Sequence, residues 1–112
     1  MEPSSPAASE PPSAWAEPLG RFLDYLRVER NASKHTLAGY DRDIRAFFGW
    51  FEETARRPAK LDDVTIASMR RYLAVRQGEL ERSSVARGLS AMRSFYRFLL
   101  KRGEVDRKST RL

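Results

Sequence analysis

The sequence predicts an all-α domain, and three observations lead there. Apolar residues recur at three- and four-residue steps in four separate stretches, the period of a helix with one buried face. No stretch alternates apolar and polar residues over a useful length, as a half-buried strand would. Residue types that start and stop helices fall at the borders of the stretches. A chain of 112 residues that is 41% hydrophobic suits one small domain with a packed core.

Met1 to Ser13 holds Pro3, Pro6, Pro11 and Pro12 among serine, alanine and glutamate. Such a segment has little apolar surface to bury, so residues 1–14 are expected to form a disordered arm ahead of a domain spanning 15–105. The first helix is expected from about Pro18 to Arg30, with Trp15, Leu19, Phe22, Leu23 and Leu26 on its inner side. Pro18 suits only an opening turn, and Asn31 tolerates the left-handed backbone that ends a helix. Ser33 reads as the N-cap of a second helix, about Lys34 to Thr54, whose stripe is Leu37, Tyr40, Ile44, Phe47, Phe48 and Phe51. Arg56, Arg57 and Pro58 end it, and Leu61 to Val64 connects onward.

Thr65 is placed to cap a third helix that turns Ile66, Met69, Tyr72 and Leu73 inward and closes at Gly78. A fourth begins at Ser83 or Ser84 and puts Val85, Leu89, Met92, Tyr96 and Leu99 on one face, with Phe95 beside them and Gly103 as its stop.

The net charge of +6 is unevenly spread. Met1 to Glu17 has three acids and no base; setting those aside leaves 12 of the 15 acids against 21 bases, a balance of +9. That density favours a polyanion as partner, nucleic acid ahead of a membrane surface. Without cysteine there is no disulfide framework and no thiolate metal site. No apolar run approaches a bilayer span and no signal-peptide pattern opens the chain, so a cytoplasmic location is the expectation.

Two polar faces carry the functional reading. On the second helix Lys34, Ala38, Arg42 and Arg45 step by four, four and three. On the fourth, Ser83, Arg87, Ser90, Ser94, Arg97 and Lys101 align, with Ser84 at the start and Arg93 on the edge. From Arg82 to Gly103 there are six bases and no acid. A solvated helix face usually mixes signs, because opposite charges four apart support it. Here like charges repel unless a polyanion relieves them, and small serines let the helix backbone approach a phosphate ridge. Arginine's planar fork suits phosphate or a guanine edge. The four tyrosines fall mostly on inner stripes and read as core; Trp15 and Trp50 read as packing residues. His35 lacks a metal or proton-transfer set and is placed for a first-turn phosphate contact at most. No catalytic, cofactor, metal or small-molecule site can be assembled.

Ser33, Thr36, Tyr40, Asp43-Ile44 and Phe47 resemble the "S-x-x-T-x-x-x-Y-x-x-D-[LI]-x-x-F" opening of the core-binding domain of Xer-type tyrosine recombinases and phage integrases. Arg87 to Tyr96 is similar to its "R-x-L-S-A-[LM]-R-x-F-[YF]" phrase, and Leu61 to Leu73 to its "L-x-x-V-T-x-x-x-[IM]-R-x-Y-L" segment. The resemblance implies a four-helix SAM-like domain that clamps double-stranded DNA, its second and fourth helices facing the major groove. It singles out Ser33, Thr36, Arg42, Arg87 and Arg93. With the two basic faces, the candidate DNA-binding set is Ser33, Lys34, Thr36, Arg42, Arg45, Ser84, Arg87, Ser90, Arg93, Ser94 and Arg97.

The resemblance also implies a second, catalytic domain carrying the tyrosine nucleophile, which the residues here do not supply. Residues 106–112 read as a truncated tail or the start of a linker, and the chain is expected to bind DNA without cleaving it. A recombinase protomer or paralogue on the same site is the implied protein partner, in chromosome dimer resolution or mobile-element integration. A stand-alone helical DNA-binding regulator, and a helical module for an acidic protein partner, stay open as alternatives. Gly88 inside the fourth helix costs up to ~1 kcal/mol against alanine, which close approach of DNA or of another helix would explain.

Overall fold

The structure, a computed structural model, describes residues 13–76, 78 and 81–106. Of the expected arm, only Ser13 and Ala14 fall within that range, and of the tail only Asp106. Four helices follow in order: α1 (Ala16–Glu29), α2 (Lys34–Ala55), α3 (Ile66–Arg76) and α4 (Arg82–Lys101), with a 3-10 turn at Leu61–Asp63 between α2 and α3. No strand occurs among the described residues.

Helix α1 starts two residues ahead of the expected Pro18, because Trp15 is anchored and takes the N-cap position. Its ring lies parallel to that of Phe48, centroids 4.9 Å apart, and its indole N–H donates to Glu52 Oε2 at 3.1 Å. Pro18 therefore sits in the first turn, where an absent N–H goes unmissed. Asn31 ends the helix in the left-handed region, φ 53°, as its residue type suggested. Ser33 caps α2, its Oγ accepting the Thr36 N–H at 3.1 Å. Arg56 stops that helix at φ 58°. Thr65 and Ser68 cap α3 reciprocally, each backbone N–H donating to the other's hydroxyl, at 2.8 and 3.1 Å.

The inner face of α3 differs from expectation. Ile66 is 43% exposed and Leu73 half-buried, so Met69 and Tyr72 carry the burial. Val64, fully buried just ahead of the cap, fills the core position that the periodicity assigned to Ile66. Helix α4 starts at Arg82, one residue early. Its buried side is wider than one stripe: Ala91 and Phe98 join Val85, Met92, Phe95, Tyr96 and Leu99, while Leu89 is only half-buried. The extra width exists because α4 packs on all three other helices. Gly103, at φ 73°, closes α4, with the Glu104 N–H returning to the Leu99 carbonyl at 3.0 Å.

Ring contacts fix the directions of the helices. Trp15 meets Phe48 and Phe22 meets Tyr40, so α1 and α2 run antiparallel. Phe22 meets both Phe95 and Phe98, Tyr25 meets Phe98 and Arg21 reaches Glu104, so α1 packs on the C-terminal half of α4. Asp43 meets Arg87 and Phe48 meets Phe95, while Tyr40 shares a cleft with Ser94 and Phe98 and Ala46 lies beside Ser84 and Val85, so α2 and α4 cross rather than run side by side. The core lies among these three helices, lined by Leu19, Phe22, Ile44, Phe47, Phe48, Phe95 and Leu99, each no more than 1% exposed. Tyr96 is buried as well, and its hydroxyl donates to the Leu61 carbonyl at 2.6 Å, tying the 3-10 turn to α4. Burial, then the carboxylates of Asp62 and Asp63, push its phenol well above the ordinary range.

Two carboxylates brace the outside. Glu104 accepts both Nη groups of Arg21 at 2.5 and 2.7 Å, joining the exit of α4 to α1. Asp63 accepts both Nη groups of Arg57 at 2.8 and 2.9 Å and the Lys60 N–H at 2.7 Å. The Arg21 guanidinium holds the Glu104 carboxyl below its ordinary value of 4.5, and that of Arg57 holds Asp63 below 3.8. A carboxylate whose folded pKa is depressed stabilises the fold above its unfolded pKa and loses that contribution as pH falls through the folded value. Stability should therefore be flat above about pH 5.5 and decline from about pH 4.5 downward. The double variant Glu104→Gln, Asp63→Asn should be less stable at pH 7 and show a smaller drop between pH 5 and pH 3. Urea melts across that range check this; parallel declines in both proteins would remove the two carboxylates as its cause.

Candidate nucleic-acid interface

The N-terminal halves of α2 and α4 meet at the Asp43–Arg87 contact. Helix N-termini carry partial positive charge; the first turn of α2 holds no acid, whereas Glu81 occupies the N-cap of α4. Between these halves is a groove of about 270 Å³ lined by His35, Thr36, Gly39, Tyr40, Arg42 and Asp43 from α2 and by Arg87, Ser90 and Ala91 from α4. Ser84 adjoins it, beside Arg42, Arg87 and Gly88 in a smaller depression. Thr36, Arg42, Arg87 and Ser90 are exposed.

One carboxylate organises the groove. Asp43, its side chain 11% exposed, accepts Arg87 Nε at 3.0 Å on Oδ2 and Arg42 Nε at 3.4 Å on Oδ1. Arg87 is thereby bound across the helix interface through Nε, and its pKa is raised by that hydrogen bond and by the charge of Asp43. The two Nη groups of Arg87 donate to no described residue.

The stripe on α4 divides at Tyr40, which lines the groove just described and also a second cleft. That cleft, about 490 Å³ between α1 and the C-terminal half of α4, has Phe22, Tyr25, Leu26, Tyr40 and Phe98 as its floor. Arg30, Arg97, Lys101 and Arg102 rim it, and no acid lines it. Ser94 and Arg97 thus face a different recess from Arg87 and Ser90.

Other candidate residues are placed apart. Ser33 and Thr36 are exposed, but their hydroxyls bond to each other at 3.0 Å as part of the α2 cap. Lys34 stands exposed in the first turn of α2, and Arg93 exposed on α4; neither lines a groove or cleft described here. Arg45 leaves the stripe: it bonds Asp41 at 2.8 Å and lies over the Trp15 ring, 5.7 Å from its centroid, toward the start of α1. Its guanidinium follows a carboxylate and an aromatic face that helical spacing alone does not reveal. A Cβ added at Gly88 would meet nothing within 4 Å, so close approach of another helix does not account for that glycine.

Sequence reasoning passed over Asp43, which entered only as a motif letter, and over Arg30. The spacing of Thr36, Tyr40 and Asp43, by four and three, does put them on one face. Nothing local marks Asp43 as the partner of an arginine 44 residues away. No group of acids and histidines among the described residues could hold a metal ion, and no described helix is long and apolar enough to cross a membrane.

Residues 19–103 match the family described as phage integrase, N-terminal SAM-like domain. The chain belongs to this family. Among curated proteins it is 43% identical over 96 residues to the tyrosine recombinase XerC of Pelobacter propionicus, covering 86% of the chain and 32% of that protein. It is 43% identical over 82 residues to XerC of Listeria innocua, covering 72% and 27%. To the tyrosine recombinase XerD of Chlorobaculum tepidum it is 36% identical over 96 residues, covering 85% and 30%. The chain thus spans about a third of the length of these relatives. No solved structure gives a significant match. The all-α SAM-like architecture and the Xer resemblance read from the three motifs both stand, and the matched span takes in α1 from Leu19 onward and the whole of α2, α3 and α4.

Proposed function

We propose that this domain binds double-stranded DNA in a sequence-dependent way through the α2/α4 face, as the DNA-gripping part of a site-specific recombinase. The observation that carries the proposal is the convergence of Thr36, Arg42, Arg87 and Ser90 on one exposed groove between the N-terminal halves of α2 and α4. Arg42 and Arg87 supply forks for phosphate or guanine, and the hydroxyls supply phosphate donors. Lys34 and Arg93 flank the groove as phosphate contacts, and Arg97 and Ser94 extend the basic surface along α4.

The tyrosine recombinase activity in the relatives' names belongs, on this reading, to the two thirds of their length that this chain does not span. The buried Tyr96, occupied with the Leu61 carbonyl, is unsuited to act as a nucleophile. A second recombinase protomer or paralogue on the same DNA, and a cytoplasmic location, follow as parts of the same reading.

Fluorescence anisotropy on a labelled 30-base-pair duplex tests it. Non-specific binding should fall between roughly 10⁻⁴ and 10⁻⁶ M at physiological salt, with log K declining linearly in log salt. Three or four neutralised phosphates give a slope of roughly −3 to −4. Affinity that stays flat across the titration would sink the proposal and leave an acidic protein partner as the better reading.

A further inference from the structure

We infer that Asp43 is a positioning residue for DNA recognition: it grips Arg87 by Nε so that the Nη pair is presented as a fixed fork to a base edge. The inference rests on the proposed DNA-binding role of the α2/α4 face and concerns how that face tells one sequence from another.

An exposed arginine on a basic helix is ordinarily a flexible side chain that meets phosphate in many orientations. Such contacts add affinity without sequence information. Reading a guanine demands more, since two parallel N–H donors must meet O6 and N7 together. Arg87 is placed for that task. Its Nε donates to Asp43 Oδ2 at 3.0 Å, across from α4 to α2, and its two Nη groups donate to no described residue. The buttress itself is firm: Asp43 is 11% exposed, and it stands one residue before Ile44, which is fully buried. Arg42, reaching the other carboxylate oxygen at 3.4 Å, helps hold the acid in place.

Charge makes the placement informative. A carboxylate in a groove meant for a polyanion opposes binding, because it adds repulsion to every phosphate nearby. Asp43 therefore lowers affinity for DNA in general. The compensating gain is discrimination, obtained by fixing the fork and by repelling a duplex that does not engage Arg87. Affinity and specificity should accordingly move in opposite directions when Asp43 is neutralised, an outcome that mere loss of packing does not give.

The test uses the 112-residue chain, a pool of 30-base-pair duplexes with a randomised centre, and sequencing of the bound fraction. Asp43→Asn keeps the shape and removes the charge. Expected are a two- to fivefold rise in affinity for a non-specific duplex, on the order of one removed like-charge contact, and a loss of about tenfold in preference at one position of the enriched sequence. Arg87→Ala should erase preference at that same position. In the Arg87→Ala background Asp43→Asn should change the preference no further, since it acts through the arginine.

In the free protein, the Arg87 Nε–H signal in ¹⁵N NMR should be slow to exchange and should lose that protection in Asp43→Asn. A wild-type chain that binds DNA but enriches no position overturns base reading, and this inference with it, while leaving DNA binding intact. An enriched wild-type profile that Asp43→Asn leaves unchanged overturns the inference alone. Sharper preference in Asp43→Asn would overturn it too, by showing that Asp43 withholds Arg87 from DNA.

Discussion

Arg87→Ala is expected to weaken duplex binding by about tenfold, the equivalent of one well-made base or phosphate contact, while Arg56→Ala leaves it within about twofold. Arg87 projects from the exposed side of α4 into the α2/α4 groove, whereas Val85, Met92 and Tyr96 face the core. Its removal should therefore leave thermal unfolding nearly unchanged. Arg56 is the left-handed stop of α2, at the end of that helix remote from Ser33 and Thr36, so it serves as a charge-matched control. The form of the loss carries further information. A lost phosphate contact lowers the salt slope by about one and weakens all sequences alike, whereas a lost base contact acts at one position of the preferred site. Equal losses from the two substitutions would show that net charge alone matters and that the groove has no special role.

Phe95→Ala should have the larger effect on the fold. Phe95 has no exposed surface, and its ring sits 5.5 Å from those of Phe22 and Tyr96 and 6.3 Å from that of Phe48. It thereby joins α1, α2 and α4 at one point. Truncating a buried phenylalanine costs about 3–5 kcal/mol, because lost transfer energy adds to the cavity left behind. A domain of this size is stable by only about 5–15 kcal/mol in total. The melting temperature should fall by roughly 15–30 °C, read by circular dichroism at 222 nm. A fall of under about 5 °C would mean that neighbouring rings close over the gap, and that α4 is held mainly by its other contacts.

The helices were legible where local chemistry decides them. Ser33, Asn31, Thr65 and Gly103 act at the borders where their residue types placed them, because caps and left-handed stops depend on a few consecutive residues. Boundaries slipped where a distant group intervened. Trp15 opens α1 early because Phe48 and Glu52, more than thirty residues on, hold its ring. Ile66 stays exposed while Val64, two residues before it, is fully buried, a matter of packing that periodicity does not register.

The candidate interface divides in the same way. Period alone put Arg87 and Ser90 on one side of α4, and it put Arg42 on the matching side of α2. It did not show that Arg45 turns toward Trp15, or that the α4 stripe splits at Tyr40 into a groove against α2 and a cleft against α1. Least legible was Asp43, since an acid amid bases looks like dilution of the charge until its partner on the other helix is known.

The pair between Arg21 and Glu104 has a mechanical consequence. It ties the second turn of α1 to the residue just past the α4 stop, 83 positions along the chain. Tension applied at the exit of α4 therefore passes to α1 through this ion pair as well as through the core.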